Sequence, residues 1–154
     1  MRAWLVGAFV LASCGSAKQE APARFDAGAD PAMTVAAAVE RTKGTSKSVV
    51  IEVGGDWCSD TRALDAIFES DPTVSRLLDE HFELVRVHRS ADIPNDDYLA
   101  RYPSFGGVPH LFLLDAEGKL VASVSGEAMV RQEPRGEANE RTAKLLGAWS
   151  KLGR

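Results

Sequence analysis

Between Ser48 and Val53 the chain reads Ser-Val-Val-Ile-Glu-Val, a short run of β-branched and apolar residues with one acid in it. A run of this length and apolarity predicts a central strand, because such strands are covered on both faces by helices. Glu52 is the anomaly, an acid placed where no water is expected. A chain of 154 residues, 45% of them hydrophobic, can build one such core and is too short for two ordinary domains.

The flanking patterns supply the cover. Asp30-Pro31 sets a capping side chain before a proline at the first helical position. Val35, Ala38, Val39 and Thr42 then recur at helical spacing until Gly44, predicting a helix over about 31–43. After Gly54-Gly55-Asp56-Trp57-Cys58, the residues Leu64, Ile67 and Phe68 mark a second helix. Ser70-Asp71-Pro72 caps anew a continuation carrying Val74, Leu77 and Leu78, so the helix is expected to bend or break there. Residues 83–88 alternate as a strand, 95–102 suit a short helix, and 104–109 form a loop. Residues 110–114 and 119–124 flank Asp115-Ala116-Glu117-Gly118 as a β-hairpin. A polar loop through Pro134 leads to a closing helix with Thr142, Leu145, Leu146, Trp149 and Leu152 on one face. The order α-β-α-β-α-β-β-α begins with a parallel crossover and ends with an antiparallel hairpin. It predicts an α/β fold with a mixed central sheet and helices on both faces.

The N-terminus reads as an export signal, with Arg2 ahead of the apolar run Ala3 to Ala12. That run is too short to cross a hydrocarbon core of about 30 Å as a helix. It ends in Leu11-Ala12-Ser13-Cys14, which resembles the lipobox of bacterial lipoproteins, where the cysteine is acylated and becomes the new N-terminus. The resemblance implies a signal peptide over 1–13, a lipidated flexible tether over 14–30 and a domain over 31–154. Lipidation of Cys14 implies a protein anchored in the cell envelope and facing the periplasm. Gly15 resembles the pattern of lipoproteins sent on to an outer membrane. An ordinary secretory signal is the other reading. Residues 15–30 are rich in Ala, Gly, Pro and charge, a composition that buries too little apolar surface to order itself. The formal net charge of −4, with both signs spread along the chain, leaves no basic stripe for nucleic acid.

Trp57-Cys58 at a strand-to-helix junction, with Gly107-Val108-Pro109 opening the hairpin, resembles the thioredoxin superfamily over nearly everything after the tether. Within it, the chain is most similar to exported thioredoxin-like domains whose N-terminal helix leads straight into the central strand. The resemblance implies that Cys58, preceded by Trp57, attacks a disulfide in the substrate. It implies that Val108-Pro109 is the cis-proline loop, whose backbone edge pairs with an extended substrate, and that Glu52 holds the position of a buried acid. Physical chemistry points the same way for Cys58, since a thiol at a helix N-terminus meets the positive end of the helix dipole and free N–H groups.

The departure from the family is Thr61, which stands where the second cysteine of the motif belongs. No internal disulfide can form, so a mixed disulfide on Cys58 needs a thiol from elsewhere to release it. The Thr61 hydroxyl can donate toward the sulfur. Glu52, without a second cysteine to serve, is open to several readings: a relic, an acid of raised pKa, a partner of a neighbouring charge, or an acid on a solvated edge.

His110 follows the proline directly and can either tune Cys58 or Glu52 or serve structurally; His81 and His88 have no evident partner. No C-x-x-C pattern or close histidine pair offers metal-ligand spacing, no Ser-His-Asp order or glycine-rich phosphate loop is present, and no cofactor is expected. Two functions follow. One is thiol-disulfide exchange through Cys58, isomerase-like or deglutathionylating, with a disulfide- or thiol-containing protein or a small thiol as partner. The other is a redox-inactive module that holds a protein or peptide in a groove formed by Trp57, Val108 and Pro109.

Overall fold

The computed structural model describes residues 23–132 and 134–153. The expected signal peptide, Cys14 and the first part of the tether lie outside them. Among the described residues no helix is long and apolar enough to cross a membrane.

Helix α1 spans Pro31–Thr42, and the Asp30 carboxylate accepts the N–H groups of Ala32 and Met33 at its start. Strand β1, Ser48–Gly54, is buried along its whole length. Helices α2, Ser59–Ser70, and α3, Pro72–His81, are separate. Asp71 divides them: its N–H donates to the Ile67 carbonyl at 3.1 Å, while its carboxylate accepts the N–H groups of Thr73 and Val74 at 2.9 and 3.0 Å. Strand β2 is Phe82–His88, α4 is Asp96–Leu99, and the hairpin strands are β3, His110–Leu114, and β4, Leu120–Ser125. Helix α5, Gly126–Arg131, a 3-10 turn at Arg135–Glu137 and α6, Ala138–Leu152, complete the chain.

The sheet order is β2-β1-β3-β4, with β1 parallel to β2 and the other two pairs antiparallel. Side chains alternate across it. Val50, Leu111 and Leu113 face α2, α3 and α6, packing with Leu64, Phe68, Val74, Leu146 and Trp149. Val49, Ile51, Val53 and Phe112 face the other way, against Val35, Ala38, Tyr98 and Leu99. This is the mixed, doubly covered sheet that the pattern predicts.

Two segments differ from the sequence reading. The stretch assigned to the tether is already packed at its end, for Phe25 is only 3% exposed. A single aromatic in a polar stretch has no period to reveal its burial. The polar loop before Pro134 contains α5, whose Met129 and Val130 lie against the core. Leu146 is wholly buried at the junction of α6 with this core. Leu146→Ala is expected to lower stability by about 2–5 kcal/mol, read as a fall in the urea midpoint at unchanged slope.

Candidate functional site

The site is built where β1 ends. Its chain turns through Gly55-Asp56-Trp57, with the Cys58 N–H donating to the Gly55 carbonyl at 3.0 Å. Glycine at 55 follows from close approach, since a Cβ there would lie 2.4 Å from the indole nitrogen of Trp57. Trp57 is pinned by a bond from its Nε1–H to the Arg89 carbonyl at 2.9 Å, yet stays 58% exposed. Cys58 is the N-cap of α2, with extended backbone, and its carbonyl accepts the N–H of Arg62 at 3.1 Å. No side chain caps this helix end, so its first N–H groups are open toward the sulfur.

The second half arrives from the loop before β3. Val108-Pro109 is a cis peptide bond, and the thiol of Cys58 donates to the Val108 carbonyl at 3.6 Å. The Pro109 carbonyl is bound by the N–H of Gly126 at 2.9 Å, which ties the loop to the start of α5. Cys58, a free and partly exposed thiol, opens into a groove of about 470 Å³. Trp57, Pro94 and Val108 give this groove apolar walls, while Asp60, Arg89, Glu127 and Arg131 line it with both signs of charge. Arg131 is held by Asp60 at 2.6 Å and Glu127 at 3.0 Å; Arg89 pairs with Asp96 at 3.0 Å and lies over the Phe105 ring. The sequence reading missed these four charged residues. The spacing of Glu127 and Arg131, four apart, was their one local signal.

Thr61 lies wholly buried one turn into α2, and its hydroxyl has no hydrogen-bond partner. The anticipated bond to the sulfur is not made; the thiol turns to Val108 instead. Glu52 is fully buried, which excludes the solvated edge. Its register neighbour on β2 is Arg86, whose Nε lies 3.4 Å from the Glu52 carboxylate. The same guanidinium donates to Asp65 of α2 through Nε at 3.0 Å and Nη2 at 2.5 Å. One cation thus serves two buried carboxyls. Burial raises both above the usual carboxylate range, and the charge of Asp65 raises Glu52 further. Asp65 accepts both Arg86 bonds, which lower its pKa against that rise, while neither Glu52 oxygen is hydrogen-bonded.

His110 is removed from this chemistry by strand parity. It shares the sheet face of Phe112, stacks on Phe105 and is hydrogen-bonded to the Ser123 hydroxyl at 2.8 Å. Glu52 points to the opposite face, beside Leu111 in the register. Burial holds the His110 pKa down at about 4, so the ring is neutral and structural. His81 lies 3.9 Å from Glu80, and the buried Nδ1 of His88 has no partner. Among the described residues no cluster of three or more His, Cys, Asp or Glu could hold a metal ion.

The thioredoxin-like family model matches residues 30–116, more than half of the chain. The chain belongs to the thioredoxin-like family. A disulphide isomerase from Xylella fastidiosa Temecula1 superposes with a TM-score of 0.68 at 26% identity, covering 79% of this chain and 95% of that one. The reduced C-terminal domain of DsbD from Neisseria meningitidis gives 0.54 at 23% identity, covering 82% and 98%. A thioredoxin from Thermus thermophilus gives 0.52 at 22%, covering 77% and 88%. The last two show the fold. No curated protein matches the chain.

Folding this thioredoxin-like domain draws a proton onto Glu52 that the unfolded chain releases near pH 4.5, so stability falls as pH rises from there through the raised folded value. Glu52→Gln is expected to flatten that slope between pH 5 and 8 in urea titrations. Arg86→Met, which leaves both carboxyls uncompensated, is expected to cost about 3–5 kcal/mol, with the greater loss at pH 8.

Proposed function

We propose that this protein carries out thiol-disulfide exchange through Cys58 at the cell envelope, exported by residues 1–13 and anchored by a lipid on Cys14. The observation that carries the chemistry is the placement of a partly exposed thiol at an open helix N-terminus, facing the Val108 carbonyl beside a cis proline, with Thr61 in place of a second cysteine. The likeness to a disulphide isomerase structure supports this reading.

In the reaction, the thiolate of Cys58 attacks one sulfur of a substrate disulfide R–S–S–R′. A Cys58–S–S–R bond forms, the substrate S–S bond breaks, and R′–S⁻ leaves with the electron pair and takes a proton from solvent. A second thiolate, R″–S⁻, then attacks the R sulfur and displaces Cys58 as thiolate. The number of disulfides is unchanged. When R″ belongs to the same substrate the result is isomerisation; when it is a small thiol, a protein thiol is freed from a mixed disulfide and the small thiol takes its place. Thr61 can complete neither path from within.

The exposed Trp57 and the apolar wall of Val108 also suit a module that only holds a partner. Cys58→Ser separates the two readings: exchange predicts complete loss of mixed-disulfide turnover in the presence of added thiol, whereas a module keeps its binding and its phenotype. Thr61→Cys is expected to form a disulfide between Cys58 and the introduced cysteine, and to raise dithiothreitol-driven insulin reduction about tenfold or more, by supplying the missing resolving thiol.

A further inference from the structure

The sheet order β2-β1-β3-β4 sets two charged walls of the groove apart. Arg89 follows β2 at one edge and α5 follows β4 at the other, with Cys58 after β1 between them. Helix α5 lies beyond residue 116, where the match to the family ends. Both of its ends are fixed. The Gly126 N–H is bound to the Pro109 carbonyl at 2.9 Å, and a Cβ on Gly126 would lie 3.0 Å from both Leu64 of α2 and the Pro109 ring, so the helix starts against the cis proline. At the far end Arg141 of α6 donates to the carbonyls of Met129 at 3.1 Å, Gln132 at 2.7 Å and Pro134 at 3.1 Å. A wall tied to the cis-proline loop and to α6 holds its charges ready before a substrate arrives.

On this wall one cation faces two anions. Arg131 is bound through Nε to Asp60 at 2.6 Å and through Nη1 to Glu127 Oε1 at 3.0 Å, so one guanidinium against two carboxylates leaves one negative charge. Asp60 stands two residues after Cys58, in the first turn of α2. The second Glu127 oxygen turns toward the cis-proline loop, where a Cβ on Gly107 would lie 3.9 Å from it. The other wall is balanced: Arg89 pairs with Asp96 at 3.0 Å, and its guanidinium lies over the Phe105 ring at 5.0 Å. The neighbouring Arg62 and Asp56, which do not line the groove, contribute one charge of each sign. The groove is thus negative beside Gly107 and neutral on the Arg89 side.

We propose that the wall of Asp60, Arg131 and Glu127 is the specificity element of the Cys58 site, and that it selects disulfides flanked by cationic groups over those flanked by anionic ones. A lysine, arginine or free ammonium beside the substrate disulfide meets Glu127 without breaking the Arg131 pairs, whereas a carboxylate there adds a third anion to one guanidinium. The apolar faces of Trp57 and Val108 accept the rest of such a substrate without regard to its charge. Of the two exchange paths above, the wall favours isomerisation of a basic protein segment over exchange with glutathione, whose carboxylates outnumber its ammonium group. This selectivity rests on the exchange reading of Cys58.

The test is the rate at which the full chain forms a mixed disulfide at pH 7 and low salt, read at Cys58 by mass spectrometry. The probes are cystamine, a dication; 2-hydroxyethyl disulfide, which is neutral; and 3,3′-dithiodipropionate, a dianion. In each case the Cys58 thiolate attacks one sulfur, a Cys58–S–S–R bond forms, and R–S⁻ leaves with the electron pair and takes a proton from solvent. Dividing the cystamine rate by the dithiodipropionate rate cancels the reactivity of the sulfur itself. Dividing again by the same ratio for 2-mercaptoethanol removes the preference that any thiolate has for a cation. The resulting preference is expected to be about fivefold, and to fall toward one in about 1 M salt. Glu127→Gln, which leaves the wall neutral, should bring it close to one. Arg131→Gln, which leaves two unopposed carboxylates, should raise it further by about the same factor. A purely structural role for α5 would move both variants the same way. A native preference equal to that of 2-mercaptoethanol, or shifts of one sign in the two variants, overturns the selectivity and leaves the exchange reading standing. A Cys58 that reacts with none of the probes, the neutral one included, overturns exchange and the selectivity with it.

Discussion

All seven residues of β1 are buried, and the rest of the molecule is arranged around that constraint. A strand with no wet face needs a layer on each side, which α1 and α4 supply on one and α2, α3 and α6 on the other. It also leaves no solvated place for an acid. Alternation sends Glu52 to the face shared with Val50, under α2, where water is excluded. The parallel register with β2 then sets Arg86 beside it, and the helical repeat of α2 brings Asp65 to the same guanidinium. Two buried carboxyls around one cation cannot both be ionised cheaply, so Glu52 is held well above the usual carboxylate range by burial and by the charge of Asp65.

The reactive end follows from the same strand. Where β1 stops, the chain must reverse into α2 over a tight turn, and the residue that closes the turn is the one that caps the helix. Cys58 therefore meets an open helix terminus by construction. The loop before β3 runs antiparallel beside it and sets the Val108 carbonyl against the thiol. The groove is completed by α5, which carries no part of the motif but supplies Glu127 and Arg131 to its wall. The charges on this wall are placed by a short helix packed against α2, a different part of the chain from the one that carries Cys58.

Behind Cys58, the Thr61 hydroxyl is buried without a hydrogen-bond partner and meets the Phe25 ring over Gly54. Thr61 stands three residues after Cys58, where a C-x-x-C motif would place its second cysteine, and its hydroxyl cannot form a disulfide. Among the described residues Cys58 is the one free thiol.

The element order, the two-sided sheet, the break at Asp71 and the positions of Cys58, Thr61 and Pro109 were legible from local signals, because caps, turns and hydrophobic periods act between residues close in the chain. Burial of Glu52 was half legible, as an acid out of place in an apolar strand, but its partner was not. Arg86 is 34 residues away, and only the strand register brings it to Glu52. Parity likewise decided His110: one position before Leu111, it falls on the far face from Glu52, a distinction that proximity in sequence conceals. Phe25 and α5 were read as tether and loop because a lone aromatic and a six-residue helix carry no period of their own. Local pattern alone was enough to mark Cys58 and Pro109 and the elements on which they stand. Which charges surround Glu52 and where Phe25 is buried followed only from the packed fold, because those outcomes depend on contacts between segments whose separation along the chain leaves no local trace.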